Sequence, residues 1–378
     1  MARFEGRCNC KQKVADSITK YTKVDPALQQ ELLKIVESLS LPGKGILAID
    51  ESPSSFDPIF RQIGIENTDA ARRDYREMLL SADKSELCQF ISGVILNHET
   101  LYQKLSNGRE LLDLLKEINL IVGIKADKGT VCLFGTMNEE TTEGLDNLQE
   151  RCIQYKKDGC HFAKWRCTYK LSDNRPSALA VNENAHVLAR FATIAQSARL
   201  VPVIQPEIVT TGEHEMAKAL QVHEEVLSVL FRAMVEHRVF LEGMILKPAM
   251  VLAGIQNAKF CKPQIVADFT LAALRRTVPS ALPTIMFLSG VQSDEDAILN
   301  LNAIVRAEGK IPWTLSFSYG RALHNAAGIA WEGKPEKIAN AQSIFLDRAK
   351  RCSEASQGKL DIEEFKKCMS IPDNSDGD

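Results

Sequence analysis

The chain has 378 residues, 45% of them hydrophobic and 25% charged, and its formal net charge is −3. These values are typical of a globular protein, and the near-neutral charge gives no electrostatic basis for binding nucleic acid. No apolar run approaches the roughly 20 residues of a membrane-spanning helix, and the N-terminus lacks the apolar core of a secretory signal. We therefore expect a cytoplasmic protein that binds neither nucleic acid nor membrane.

The cysteines and histidines predict no metal or disulfide chemistry. Ten cysteines are scattered without a C-x-x-C pair, and the seven histidines show no spacing typical of metal ligands. We expect reduced thiols, no metal site and no other cofactor.

Short apolar runs that end in polar residues recur eight times, and helix-like patterns separate them. The predicted strands are residues 46–50, 91–97, 121–126, 162–167, 201–206, 243–247, 284–290 and 314–320. The predicted helices are residues 25–40, 70–82, 142–158, 181–198, 213–237, 267–278, 293–308 and 334–351. Eight such units predict an α/β fold, the closed (β/α)8 TIM barrel. We predict a single domain over 1–378, with a polar N-terminal extension at 1–24 and a C-terminal tail at 358–378.

Lys247 stands at the end of the apolar strand 243–247, where a charged amine loses solvation. A structural lysine would reach the rim of the sheet and pair with a carboxylate. A catalytic lysine would have a lowered pKa and form a Schiff base with a carbonyl. The other strand ends favour the second interpretation.

In a TIM barrel, chemistry lies at the carboxyl ends of the strands. Those ends carry four cations and two carboxylates, at Lys125, Lys164, Arg166, Lys247, Asp50 and Glu207. Lys164 would help to keep Lys247 neutral, and the two carboxylates would move protons. A phosphate-binding corner is predicted after strands seven and eight, at Ser289, Gly290, Gly320 and Arg321, and Ser318 also stands at the end of strand eight. Lys125 and Ser52 would hold a second phosphate across the mouth, so the pattern implies a bisphosphate with a carbonyl group.

Several stretches resemble class I fructose-bisphosphate aldolase of the eukaryotic type. They are PGKGILAIDES at 42–52, GVILNHETLYQK at 93–104, FAKWRC at 162–167, LEGMILKP at 241–248, FLSG at 287–290 and LSFSYGRAL at 315–323. The resemblance implies metal-independent cleavage of fructose 1,6-bisphosphate to dihydroxyacetone phosphate and glyceraldehyde 3-phosphate, in glycolysis and gluconeogenesis. It also implies a homotetramer, and it leaves a cytoskeletal partner open.

By the same resemblance, Lys247 is the Schiff-base lysine and Asp50 handles the hydroxyl proton. Lys164 and Glu207 support proton transfer. One phosphate is bound by Ser289, Gly290, Ser318 and Arg321, and the other by Ser52, Ser55 and Lys125.

The chain departs from the family's pattern at four places. A glutamate that acts as a principal acid/base in the family is replaced by Gln205, and an amide cannot exchange a proton in this pH range. Pro58 and Ile59 replace a Lys-Arg pair, and Val291 replaces a glycine beside the phosphate corner. The family's terminal tyrosine has no counterpart, since no tyrosine follows Tyr319.

The residues therefore support two functions of different classes. The intact lysines and carboxylates favour an active aldolase, slowed by the departures. The departures themselves favour a catalytically impaired, aldolase-like structural or scaffold protein. A Schiff-base lyase for another phosphorylated ketose is a third, less favoured alternative.

Overall fold

The computed structural model describes residues 24–257 and 261–369. Its strands, in chain order, are β1 (Gly45–Ile49), β2 (Ile91–Leu96), β3 (Ile121–Lys125), β4 (Thr130–Cys132), β5 (Glu140–Thr142), β6 (Phe162–Lys170), β7 (Val201–Val209), β8 (Ile245–Leu246), β9 (Thr284–Phe287) and β10 (Thr314–Tyr319). All but β4 and β5 pair in parallel, in the order β1-β2-β3-β6-β7-β8-β9-β10, and β10 returns to β1. The predicted TIM barrel is confirmed.

Helices cover the outside of this barrel. They are α1 (Pro26–Leu39), α2 (Asp57–Ile63), α3 (Asp69–Leu80), α4 (Lys84–Phe90), α5 (His98–Leu101), α6 (Leu111–Glu117), α7 (Leu148–Lys157), α8 (Ala178–Ser197), α9 (Met216–Glu236), α10 (Pro263–Thr277), α11 (Asp294–Arg306), α12 (Arg321–Trp331), α13 (Ile338–Ser356) and α14 (Ile362–Met369). Three single 3-10 turns lie at Pro53–Phe56, Leu241–Gly243 and Pro335–Lys337.

Two apolar cores follow from the alternation of side chains along each strand. On β1, Leu47 and Ile49 face outward and join the large core beneath the helices. Ile46 and Ala48 face inward and join a smaller core inside the barrel. Helix α1 closes one end of the barrel, because its buried Leu32 and Leu39 belong to this inner core. The opposite end of the barrel is left for polar side chains.

A glycine on β3, Gly123, leaves space for the ring of Phe162 in the inner core. A Cβ atom on Gly123 would lie 2.2 Å from the ring of Phe162. Any side chain at this position would therefore displace a fully buried phenylalanine, so the strand needs glycine here.

Helix α1 begins as the sequence predicts. Asp25 is its N-cap and accepts hydrogen bonds from the backbone N–H groups of Ala27 and Leu28, with Pro26 at the first helical position. This arrangement satisfies donors that have no partner within the helix.

The prediction of one helix over 142–158 is wrong at its start. Thr142 lies in β5, which pairs with β4 as an antiparallel hairpin, and α7 begins only at Leu148. Gly144 and Asn147 both adopt a positive φ, 115° and 54°. Because that conformation interrupts a right-handed helix, the segment between hairpin and helix is a loop.

The predicted tail at 358–378 contains an ordered helix, α14, over its first part. Phe365 on this helix is fully buried, and Glu364 lies 3.4 Å from Arg351 of α13. The backbone N–H of Leu360 donates to Asn302 Oδ1 of α11. The tail therefore packs on the barrel through Leu360, Glu364 and Phe365, whereas residues 370–378 and 1–23 lie outside the described residues.

Candidate active site

The site residues occupy the inward-facing positions that follow the inner core. Each lies two or four residues beyond an apolar side chain of that core on the same strand: Asp50 after Ala48, Lys125 after Ile121, Lys164 after Phe162, Gln205 after Val203 and Lys247 after Ile245. Since side chains two apart share a face of a strand, all of them point into the open end of the barrel.

Asp50 and Lys164 form a buried ion pair in this mouth. Lys164 Nζ lies 2.7 Å from Asp50 Oδ2, and the two side chains are 5% and 12% exposed. Burial alone would raise the pKa of Asp50, but the charges of Lys164 and Lys247 lower it to about 2. Burial likewise lowers the pKa of Lys164, but the charges of Asp50 and Asp127 outweigh burial and raise it. The carboxylate and the ammonium are therefore both charged at neutral pH.

Lys247 follows β8 directly and is buried, with 4% of its surface exposed. Its backbone N–H donates to the carbonyl of Ile204, which holds it in line with β7. Burial lowers the pKa of Lys247 to about 8; the charge of Asp50 opposes this shift, and the charge of Lys164 adds to it. Within the described part of the chain its amine makes no ion pair, in contrast to Lys164. About one fifth of this amine is therefore neutral at pH 7.4, against on the order of one in a thousand for an ordinary lysine.

Glu207 is held by two neighbours on β6 and β7. Arg166 Nε lies 2.6 Å from Glu207 Oε2, and Gln205 Nε2 donates to the same oxygen at 2.9 Å. Burial would raise the pKa of Glu207, but the charge and hydrogen bond of Arg166 lower it. The carbonyl oxygen of Gln205 is buried without a partner among the described residues, so it remains available to a donor on a substrate.

The residues predicted to bind one phosphate gather beyond β9 and β10, two neighbouring strands. Arg321 starts α12 and its guanidinium donates to the carbonyl of Gly290. Ser318 Oγ is buried without a partner among the described residues. Gly320 lies close to the barrel, because a Cβ atom there would be 3.0 Å from the carbonyl of Ala48. Ser289 is also buried. A helix N-terminus, an arginine and free hydroxyls form a suitable anion site.

The residues predicted to bind the second phosphate are only partly brought together. Ser52 and Lys125 line a cavity of about 400 Å³, together with Lys128 and Arg151. Lys125 Nζ is engaged by Asp127 Oδ1 at 2.5 Å. Ser55 does not line this cavity, although its hydroxyl lies 2.8 Å from that of Ser52. The cavity has an excess of cations, as an anion site requires.

Two acidic residues of the mouth were missed by the sequence analysis. The side chain of Asp127 is 3% exposed and pairs with Lys125, and Asp127 accepts a hydrogen bond from the backbone N–H of Arg166. Glu51 acts electrostatically on Lys247. Both residues directly extend predicted strand ends in the sequence, so a wider window at each strand end would have found them.

The departures from the family lie close to the site. Gln205 is inside the mouth, and Val291 lies with Ser289 and Gly290 around a small pocket that Glu207 also lines. Pro58 and Ile59 lie in the first turns of α2, where Ile59 packs against the outer core. The replaced Lys-Arg pair is therefore absent from the rim, and Arg61 does not line the cavity of Ser52 and Lys125.

The described residues contain neither a metal-binding cluster nor a membrane-spanning helix. No group of three or more His, Cys, Asp or Glu side chains in that part of the chain is placed to hold a metal ion. No helix among the same residues is long and apolar enough to cross a bilayer.

The sequence profile of glycolytic fructose-bisphosphate aldolase class-I matches residues 31–371. The chain is 51% identical over 332 residues to fructose-bisphosphate aldolase of Drosophila melanogaster, covering 88% of this chain and 91% of the relative. It is 49% identical to fructose-bisphosphate aldolase C of Rattus norvegicus, over 89% of this chain and 93% of the relative. It is 48% identical to the cytosolic fructose-bisphosphate aldolase 7 of Arabidopsis thaliana, over 88% of this chain and 92% of the relative.

A solved structure gives the same result in three dimensions. It is the fructose-bisphosphate aldolase from Plasmodium falciparum, in complex with TRAP and a small molecule inhibitor. Its TM-score with this chain is 0.87 at 44% sequence identity, covering 89% of this chain and 97% of the other.

Proposed function

Because the chain belongs to the class I fructose-bisphosphate aldolase family, we propose that the barrel mouth cleaves a sugar bisphosphate through a Schiff base on Lys247. The observation that carries this assignment is the state of that lysine. It is buried, its pKa is lowered to about 8, and the neighbouring Lys164 is already paired with a carboxylate. An amine must be neutral to attack a carbonyl, and this arrangement supplies one without a metal.

The first step forms a bond between Lys247 Nζ and the keto carbon of the open-chain substrate. The resulting carbinolamine loses water once its hydroxyl gains a proton, and an iminium ion remains. Lys164 on β6 is a charged donor in the same barrel mouth, and its ion pair with Asp50 holds it in place. A positioned donor of this kind typically accelerates proton transfer 10²- to 10⁴-fold.

In the cleavage step the iminium ion accepts the electron pair of the next carbon–carbon bond along, which joins the neighbour of the iminium carbon to the hydroxyl-bearing carbon beyond it. The hydroxyl proton on the far carbon must leave at the same time, and the aldehyde product forms there. Asp50 is the acceptor for this proton, because its low pKa keeps it ionised at neutral pH. Protonation of the enamine and hydrolysis then release the ketone product and restore the amine.

Glu207 and Gln205 are assigned supporting roles. Glu207 is fixed by Arg166 and by the amide of Gln205, so its carboxylate orients donors in the mouth. The free carbonyl oxygen of Gln205 accepts a hydrogen bond from a substrate hydroxyl but cannot take its proton. We therefore assign the protein a slower turnover than a member of the family with a carboxyl group at this position.

The two phosphates fix the substrate across the mouth. Arg321, with Ser289, Gly290, Ser318 and Gly320, is assigned the phosphate nearer β9 and β10. Ser52 and Lys125 are assigned the other phosphate, with Ser55 at its edge. Anchoring at both ends turns the encounter of amine and carbonyl into an oriented, intramolecular reaction.

The assignment is tested by trapping the intermediate. Purified protein is incubated with fructose 1,6-bisphosphate and borohydride, and the modified peptide is identified by mass spectrometry while triose phosphate release is followed. We expect an adduct on Lys247 together with product release, and neither in Lys247→Met. An adduct without release would favour the impaired, scaffold-type alternative. No adduct would refute the Schiff-base assignment.

We further propose a homotetramer in the cytoplasm, with a cytoskeletal protein as an additional partner. Cytosolic relatives such as the Arabidopsis thaliana aldolase support the location. The Plasmodium falciparum aldolase, solved with TRAP bound, supports a macromolecular partner in addition to substrate. Light scattering on the purified protein would give four times the chain mass, and co-sedimentation with filaments would test the partner. A monomeric mass or an unchanged supernatant would contradict the respective proposal.

A further inference from the structure

A buried histidine outside the barrel contacts the turn that carries Asp50. His324 lies on α12 and is fully buried. Its Nε2 lies 3.1 Å from Glu51 Oε1, and Glu51 directly follows Asp50 in the chain. His324 is also three residues after Arg321, so the same helix contacts both the phosphate corner and the turn after β1.

The main chain and the side chain of Glu51 are held by different groups. The carbonyl of Glu51 accepts hydrogen bonds from Asn97 Nδ2 at 2.7 Å and from Arg76 Nη2 at 3.0 Å. The side chain of Glu51 depends on His324 alone among the described residues, because its Oε2 is buried and has no partner there. Without the histidine, a half-buried carboxylate with one fully buried oxygen would have no side-chain donor among the described residues, which is unfavourable.

Tyr75 completes the contact from α3. Its Oη lies 2.8 Å from His324 Nδ1 and 3.1 Å from the carbonyl of His324. A neutral ring with its proton on Nε2 accepts the tyrosine proton at Nδ1. A charged ring donates from Nδ1 to the tyrosine oxygen, and the tyrosine then donates to the carbonyl. Nε2 therefore donates to Glu51 in both protonation states of the ring.

Charged and titratable groups surround His324 on all sides. Glu51 faces it from the turn after β1, Tyr75 faces it from α3, with Arg76 nearby, and Asp294 interacts with it from α11. Glu51 in turn acts across the mouth on Lys247. The histidine thus connects the outer helices to the group that forms the Schiff base.

We propose that His324 is a positioning residue for the cleavage reaction: by donating from Nε2 to Glu51, it fixes the turn that places Asp50 against Lys164 and the substrate. The inference rests on the proposed chemistry of Lys247 and Asp50. Its consequence is that loss of the Nε2 donor moves Asp50 and slows bond cleavage, while the phosphate contacts that determine substrate binding remain.

Two substitutions of similar size distinguish the role of Nε2 from that of Nδ1. In His324→Gln the amide nitrogen can take the place of Nε2 and keep the bond to Glu51. In His324→Asn the shorter amide can reach only the place of Nδ1 beside Tyr75. We expect His324→Gln to keep kcat within about threefold of the unsubstituted protein. We expect His324→Asn to lose about tenfold or more in kcat with KM changed less than about twofold, as a misplaced catalytic group does.

Borohydride trapping and thermal unfolding are measured on the same samples. Trapping of the unsubstituted protein on Lys247 verifies the proposed chemistry, and its absence would refute that chemistry alone. With trapping intact, equal kcat values for the two variants, or a larger loss in His324→Gln, would overturn the role of His324. Where His324→Asn does not fold, Glu51→Ala should show the tenfold loss and Glu51→Gln should not. Equal kcat in that pair would likewise overturn the inference.

Discussion

Replacing Gln205 by glutamate tests directly whether the amide limits turnover. In the structure the amide nitrogen lies 2.9 Å from Glu207 Oε2, so the substitution places a second carboxyl group at contact distance from the first. Two carboxylates about 3 Å apart repel each other by about 5 kcal/mol at an effective dielectric constant of about 20. That repulsion corresponds to roughly four pKa units, so the pair would retain one proton at neutral pH.

A carboxyl group that holds a proton near neutral pH is an effective general acid. We expect Gln205→Glu to raise kcat about 10²-fold, the lower end of the usual range for acid–base catalysis, when triose phosphate release is measured from pH 5 to 9. A kcat within twofold of the unsubstituted protein at every pH would refute the explanation. The swapped variant Gln205→Glu with Glu207→Gln is the matched control, because it keeps one carboxylate and one amide. It should retain most of the gain only if the carboxyl group is needed at position 205.

The same substitution has a consequence for folding. The shared proton raises the folded-state pKa of the pair above its unfolded value, so its hydrogen bond stabilises the fold at low pH and is lost as the pH rises through that pKa. The urea midpoint of Gln205→Glu, relative to the unsubstituted protein, should therefore be lower at pH 8 than at pH 5. An equal difference at both pH values would show that the two carboxyl groups do not interact.

Three further predictions follow from other parts of the structure. The rate of borohydride trapping on Lys247 should rise with pH around a midpoint of about 8, the pKa that burial gives the amine; a midpoint above pH 10 would contradict that cause. Arg321→Ala should raise KM about 10- to 100-fold, the value of one lost hydrogen bond to a charged phosphate, whereas the exposed Arg232→Ala should not change it. Phe365→Ala should lower the free energy of unfolding by about 3–5 kcal/mol through a cavity under α14. In urea titrations the exposed Lys367→Ala should leave the free energy of unfolding unchanged, and equal values for both variants would show that α14 does not support the fold.

The fold, and the presence of Lys164, Gln205 and Lys247 in the barrel mouth, follow from local sequence. A strand's side chains alternate, so a polar residue two positions beyond an inward apolar residue must enter the barrel mouth. That rule alone places Lys164, Gln205 and Lys247. Their residue types then predict a Schiff-base amine between charged neighbours, and the motifs around them indicate the family that the comparisons confirm.

Only the tertiary structure decided which partners these groups have. Asp50 pairs with Lys164 although 114 positions separate them, and His324 reaches Glu51 across 273 positions. Such contacts depend on how helices and strands pack, and the period of a strand or helix carries no information about them. The tertiary structure also decides how much of the Lys247 amine is neutral, because its pKa depends on burial and on charges from several strands at once.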